Sequence, residues 1–362
     1  MKSASDRPLR ILLIAPSLDI VGGQAVQAAH LLSSLRREPS LTIDFQPIDP
    51  RLPGPLRWLQ SLKFLRTIVT SLLYCSQLLC RVPRYHLLHA FSAGKSSYTL
   101  RTIPVLLISR LYRKKFVLNY HDGRAEEHLT NWRTARLTIR MADLVVSPSD
   151  YVVGVFAAHG IPARCIYNSI DPSVFIYRRR RDLRPVFLTN RSLEPVYNVG
   201  CLLRAFAIIQ QRYPDATLTI AHDGVCRPAL ERLARDLGLR HTRFIGCVPY
   251  PRIPELYDSA DIYLTSPNVD CMPLSLLECF ASGLPVIATA VGGIPYIVTH
   301  EHNGLLVPVN DHEAMAAAAI RLLEDPELVE RLTQNARAKL ERYSEDCVRR
   351  EWFTAYQELI SR

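Results

Sequence analysis

Not one acidic residue falls between Asp49 and Asp122, a stretch that holds Arg51, Arg57, Lys63, Arg66, Arg81, Arg84, Lys95, Arg101, Arg110, Arg113, Lys114 and Lys115. A run of positive charge with no local compensation faces anions. Residues 1–180 carry 25 Lys+Arg against 11 Asp+Glu (+14), and residues 181–362 carry 19 against 23 (−4), so the net charge of +10 arises in the first half alone. No nucleic-acid module or aromatic stacking platform accompanies this charge, which argues against nucleic acid as the partner.

The nine cysteines include no C-x-x-C pair, and Cys201, Cys247 and Cys279 sit in apolar runs. This excludes a zinc ribbon and a disulfide framework and points to a reducing, cytoplasmic compartment. No apolar run is long enough to cross a bilayer: residues 67–80 are too few, and 279–300 are broken by Gly283, Pro285, Gly292, Gly293 and Pro295. The opening "MKSASDRPLRILLIAPSLDI" places charge before an apolar run, but Asp19 cuts the run and no small-residue cleavage pattern follows. It reads as a first buried strand and not a secretory leader. Internal repeats and low-complexity tracts are missing too.

What is present is a folded composition, 48% hydrophobic and 22% charged, over 362 residues, enough for two domains. Short apolar, β-rich runs alternate with helical patterns, as in parallel sheets buried on both faces. Strand candidates in the first half are "RILLIAP" (10–16), "LTIDFQPI" (41–48), "LLHAF" (87–91), "KFVLNYH" (115–121), "DLVVSPS" (143–149) and "RCIYNSI" (164–170). The pattern pauses at "DPSVFIYRRRRDLRP" (171–185), then resumes with "VFLTN" (186–190), "TLTIAHD" (217–223), "TRFIG" (242–246), "IYLTSP" (262–267) and "PVIAT" (285–289). The expected class is α/β, with two doubly wound, Rossmann-like domains of shared topology over 1–177 and 178–343. A helix over 344–362 has an apolar face, Trp352, Phe353 and Tyr356, to dock, and is expected to cross back to the first domain. Ligands are expected in a cleft between the domains, outside the carboxyl ends of the strands.

Four stretches put chemistry at those ends. Gly22 and Gly23 follow the first strand and open a helix. A tight turn and a phosphate seat both fit this pair, which is not the G-x-G-x-x-G dinucleotide fingerprint. "NYHDGR" ends a strand with His121 and Asp122, where a histidine either donates to a sugar or phosphate or serves structure. In "FLTNRSLEP", Arg191 offers a fork of donors to a diphosphate, and Glu194 orients that arginine or pairs with it. In "NVDCMPLSLLECFASGLPVIAT", Asp270 precedes Pro273, read as the first residue of a helix. The N–H groups of Leu274 and Ser275 then face the ligand, and Glu278 one turn on accepts from a vicinal diol such as a ribose. The plain alternative is that Asp270 caps the helix and Glu278 pairs with an arginine.

Together with "LLHAFSA", "IYNSIDPSVF", "AHDGVCRPALERLARDLGLRHTRFIGCV" and "VGGIPYIVTHEHNGLLVPVND", these motifs resemble, over nearly the whole chain, the retaining nucleotide-sugar glycosyltransferases of the GT-B fold known as glycosyltransferase family 4, or glycosyl transferases group 1. The resemblance implies that Glu278 binds the donor ribose, Asp270 the transferred sugar, the Leu274 and Ser275 backbone and Arg191 the diphosphate. Glu194 matches the acid after that arginine, Gly23 the glycine whose backbone approaches the donor, and His121 the histidine beside the sugar. It implies a catalytic set of His121, Asp270 and Arg191, no resident cofactor, a UDP- or GDP-sugar as co-substrate, and a glycan or lipid-linked acceptor in cell-envelope or polysaccharide synthesis. No metal is expected, in keeping with the lack of a D-x-D at a strand end. Two positions depart from the family. Asp270 replaces the usual glutamate, and Tyr197–Asn198 stand where a lysine and glycine normally follow the arginine. A catalytically silent nucleotide-sugar-binding protein is therefore the alternative, and a nucleotide-sugar epimerase of the same fold a third reading. The mixed basic and apolar stretch "LRWLQSLKFLRTIVTSLLYCSQLLCRV" reads either as a packed domain helix or as an interfacial helix on an anionic, cytoplasmic membrane face.

Overall fold

Each aliphatic run becomes a parallel strand in the computed structural model, which describes residues 8–19, 22–52, 54, 58, 60 and 62–361. The charged residues before Pro8, Arg57 and the side chain of Lys63 lie outside the described set. The chain forms two compact units, Met1–Ser169 with Glu345–Arg362, and Ile170–Ser344.

In the first unit, β1 (Leu9–Ala15), β2 (Leu41–Pro47), β3 (Leu87–Ser92), β4 (Lys115–Tyr120), β5 (Leu144–Ser147) and β6 (Arg164–Cys165) form a sheet in the order β2-β1-β3-β4-β5-β6. Every neighbouring pair is parallel. Ile11, Leu12, Leu13 and Ile14 are all fully buried, so β1 is covered on both faces, as its lack of alternation requires. The final helix, Glu345–Ile360, presents Val348, Trp352, Tyr356 and Leu359 at helical spacing and lays them on the core of β1, β3 and the helix Gly23–Leu35.

The second unit holds β7 (Val186–Thr189), β8 (Thr217–Ile220), β9 (Thr242–Phe244), β10 (Ile262–Thr265), β11 (Val286–Thr289) and β12 (Leu305–Val307), all parallel, in the order β12-β11-β10-β7-β8-β9. This is the dinucleotide-fold order, with reversal between β7 and β10. The first sheet reverses between β1 and β3 instead, so the two halves share an architecture but not one topology.

Local differences from the sequence reading have physical causes. The "RCIYNSI" run forms a strand only at Arg164–Cys165, with an isolated bridge from Ile170 to Ser344 at its end, and the three-residue β12 within "NGLLVPV" is too short to stand out as a pattern. The arginine run that reads as a linker is packed inside the second unit. Arg180 is buried and donates to the carbonyls of Tyr257, Ala260 and Ser282, while buried Asp261 takes Arg178 and Arg184. The units divide ahead of that run, because Ile170 N–H already bonds to Tyr343 O at 2.9 Å.

Candidate functional site

Five of the six candidate positions singled out in the second half, Arg191, Asp270, Leu274, Ser275 and Glu278, converge at the carboxyl ends of β7 and β10, the reversal point of that sheet. Arg191 follows β7, and its Nη2 donates to Asp270 Oδ2 at 2.5 Å, an ion pair with both side chains largely buried. The guanidinium also lies over the Tyr197 ring, 4.3 Å from its centroid. Its Nε is buried without a hydrogen-bond partner, leaving a donor available to a ligand. Burial works against its charge, yet Asp270 beside it holds the guanidinium protonated. Burial likewise pushes the Asp270 carboxyl up, against Arg191 and the Cys271 N–H.

The carboxylate partner of Arg191 is thus Asp270; among the described residues Glu194 makes no ion pair with it. Glu194 precedes the short turn Pro195–Tyr197. Asp270 does not cap the following helix, which spans Leu274–Ala281, because its N-cap is Pro273 in extended conformation with no side-chain cap. Pro273 therefore stands just before the helix and not at its first position. Leu274 and Ser275 occupy the first two helical positions, whose N–H groups have no partner within the helix.

Glu278, one turn into that helix, is 5% exposed. Among the described residues it pairs with no arginine: Tyr257 Oη donates to its Oε2 at 2.6 Å. Asn190 Nδ2 donates to Tyr257 Oη, and Tyr263 Oη to Asn190 Oδ1, each at 2.8 Å. Burial pushes the Glu278 carboxyl up to about 7, opposed by the Tyr257 hydrogen bond and Arg191. Asn190, Tyr257 and Tyr263 escape a sequence reading because aromatic residues in buried runs look like core; the one available signal is Asn190 directly after a strand.

Two loops brace these groups. Gly292, at φ +55°, sits where a Cβ would come within 2.1 Å of Asp270 O, and Gly293 N–H donates to that oxygen at 3.0 Å. Leu193 exchanges backbone hydrogen bonds with Asp223 and Cys226, and Gly224 passes so close that a Cβ would meet Leu193 O at 2.5 Å. No cluster of metal-ligating side chains occurs among the described residues.

The remaining two candidates belong to the first unit. Gly23 opens the helix Gly23–Leu35 after β1, exposed, with nothing within 4 Å of a notional Cβ. His121 follows β4 and stacks on Phe91, with centroids 4.7 Å apart. Its Nε2 is out of solvent and unpartnered, and burial pushes its pKa down to about 3, so the ring is neutral.

A 28% identical stretch of 253 residues, 66% of this chain and 65% of the relative, is shared with an uncharacterized glycosyltransferase of Methanocaldococcus jannaschii, so the chain spans less than two thirds of that relative's length. The sucrose-phosphate synthase of Thermosynechococcus elongatus superposes with a TM-score of 0.81 at 20% identity, covering 98% of this chain and 99% of that one. HepE of Anabaena, solved with UDP and glucose, superposes with a TM-score of 0.77 at 18% identity, covering 96% and 99%. At these identities the likeness is one of fold, the GT-B fold. Residues 178–339 match the family Glycosyl transferases group 1, and the chain thus carries a domain of that family across most of its second unit.

Proposed function

We propose that this chain is a retaining, metal-independent glycosyltransferase that moves a hexose or N-acetylhexosamine from a UDP- or GDP-sugar to a glycan or lipid-linked acceptor in cell-envelope or polysaccharide synthesis. The observation that carries this reading is the convergence of Arg191, Asp270, Glu278 and a free helix N-terminus at the reversal point of a group 1 domain. The bound UDP and glucose of the HepE structure support a nucleotide-sugar donor. On this reading Glu278 holds the ribose, and Arg191 with the Leu274 and Ser275 N–H groups neutralises the departing diphosphate. Asp270 then exchanges its contact with Arg191 for the hydroxyls of the transferred sugar. His121, neutral, serves as a hydrogen-bonding group and not an acid. The leaving diphosphate takes the acceptor's proton, so no side-chain base is required.

Incubation with a panel of nucleotide sugars and a lipid and glycan extract is expected to release nucleoside diphosphate, and Glu278→Ala to reduce that release at least a hundredfold. The silent-binder reading draws on the Arg191–Asp270 pair, which compensates the main cation while Tyr197 occupies the usual lysine position. Calorimetric binding of a nucleotide sugar with neither transfer nor slow hydrolysis would establish the silent reading and overturn the enzymatic one.

Membrane association rests on the helix Lys63–Arg81. Leu65, Ile68, Leu72 and Leu79 are exposed along it, and Leu100, Leu107 and Leu111 are exposed on and just before the helix Ile103–Leu111 that packs beside it. Apolar side chains beside cations suit an anionic bilayer surface. No described helix is long and apolar enough to cross a membrane. The protein is expected to float with phosphatidylglycerol vesicles at low salt, and Ile68→Asp with Leu72→Asp to abolish flotation; wild type that stays at the bottom of the gradient sinks the idea.

A further inference from the structure

Among the described residues, a cavity of about 600 Å³ in the first unit gathers three guanidinium groups, from Arg51, Arg66 and Arg101, against the single carboxylate of Asp49. It lies at the carboxyl edge of the sheet, since Asp49 and Arg51 follow β2 and Arg101 belongs to the turn Tyr98–Thr102 that follows β3. These are the strands on either side of β1, beside the point where the order of this sheet reverses, the place where open α/β sheets take ligands.

The charges in this cavity are not cancelled from within. Asp49 Oδ1 is occupied by the backbone N–H and the hydroxyl of Ser17, at 3.0 and 2.9 Å. Arg51 pairs with Asp19. Arg101 has no carboxylate partner among the described residues: its Nη1 donates to Ser71 Oγ at 3.4 Å, its guanidinium lies 5.8 Å from the centroid of the buried Tyr74 ring, and Tyr74 Oη donates to its carbonyl at 3.1 Å. Arg66 makes neither an ion pair nor a side-chain hydrogen bond among the described residues, although Thr67 and Thr70 beside it line the same wall. The wall is a built one. Gln60 Nε2 donates to Pro50 O at 2.9 Å and to Thr70 Oγ1 at 3.0 Å, while its Oε1 accepts from Leu52 N–H, tying the loop that carries Arg51 to the helix that carries Arg66.

We propose that this cavity binds a phosphate ester or diphosphate and, on the reading of the chain as a glycosyltransferase, that this group belongs to its acceptor. Two uncompensated guanidiniums with threonine hydroxyls nearby match a multiply charged anion with several acceptor oxygens; a carboxylate would leave one cation unpaired. The exposed Leu65, Ile68 and Leu72 on the same helix would lie along the chain of a lipid-linked diphosphate, and a soluble sugar phosphate would use the cavity alone.

The test is calorimetric titration of the full chain with inorganic pyrophosphate, run on wild type, Arg66→Gln, Arg101→Gln and Arg191→Gln. Two classes of site are expected. Arg66→Gln and Arg101→Gln each weaken one by roughly tenfold, as loss of a charge-assisted contact does, and spare the other, whereas Arg191→Gln does the reverse. Arg66 is exposed, so its replacement leaves folding intact, and matched thermal melts verify this. Pyrophosphate binding that Arg66→Gln and Arg101→Gln leave unchanged overturns the cavity assignment, whatever Arg191→Gln does. A loss confined to those two variants supports the cavity even if the donor reading fails. Competition then identifies the source. Displacement by phosphatidylcholine vesicles carrying a polyprenyl diphosphate indicates the lipid-linked form, displacement by hexose 1-phosphate the soluble form, and displacement by neither overturns the acceptor role.

Discussion

A carboxyl group that is almost fully buried, with one phenol donating to it, keeps its proton to about pH 7, and for Glu278 that ties stability to function. Its folded pKa lies above the ordinary value of 4.5, so the stability it contributes is complete below pH 4.5 and is lost as pH rises through about 7. Glu278→Gln keeps an acceptor for Tyr257 and never ionises. It is expected to be more stable than wild type above pH 7 by on the order of 2–3 kcal/mol, with the gap closing toward pH 4.5. Thermal melts across that range check this, and a gap that does not change with pH refutes it. A donor ribose held by the ionised carboxylate would pull the other way, so nucleotide-sugar affinity should fall below pH 7. Arg191, Asp270 and Glu278 were legible because each stands just after a strand or one turn into a helix, where the βα pattern directs attention. Their partners were not: Arg191 chooses Asp270 over Glu194, three residues away in sequence, and Tyr257 reaches Glu278 only through the packing of two helices.

Among the elements, the turns that brace the site decide where its charges point. At Gly292, φ +55° and a notional Cβ 2.1 Å from Asp270 O leave no room for a side chain, so Gly292→Ala must shift the Asp270 loop. Turnover is expected to fall at least tenfold and the melting temperature by several degrees. Gly23→Ala is the contrast, because nothing lies within 4 Å of its notional Cβ. Folding stability should stay within about 0.5 kcal/mol of wild type, and a fall in turnover would then report on a ligand approaching that backbone. Equal melting temperatures for Gly292→Ala and wild type would contradict the argument. Strand identity was readable wherever an aliphatic run reached four residues. It faded at β6 and β12, two and three residues long, whose pairing depends on neighbouring strands already in place. The arginine run of residues 178–181 misled for a related reason: exposed charge and charge buried against backbone carbonyls look alike until the partner Asp261 and the Ser282 turn are placed.

At the scale of the whole molecule, buried His89 and His121 in the first unit and Glu278 in the second are expected to move stability in opposite senses as pH falls from about 7. In the first, His89 is buried between Asn119 and Tyr356, 2.6 Å from the phenol, and burial pushes its pKa down to about 3; His121 on Phe91 is pushed equally low by the same cause. Both lie below the ordinary 6.5, so the folded unit refuses protons that the unfolded chain accepts. The stability they contribute is present above pH 6.5 and is lost as pH falls toward 3, by on the order of 1 kcal/mol per histidine per pH unit. In the second unit Glu278 gains stability over part of the same range, as pH falls from about 7 to 4.5. Scanning calorimetry between pH 7.5 and 5.5 is therefore expected to show the first unit's transition moving down relative to the second's. Trp352→Ala, which empties the core under the final helix, identifies the first transition by lowering it further. His89→Gln and His121→Gln should each flatten its pH dependence by about one proton. If both variants retain the wild-type slope, the acid sensitivity arises elsewhere and the assignment of two neutral buried histidines to this unit is wrong.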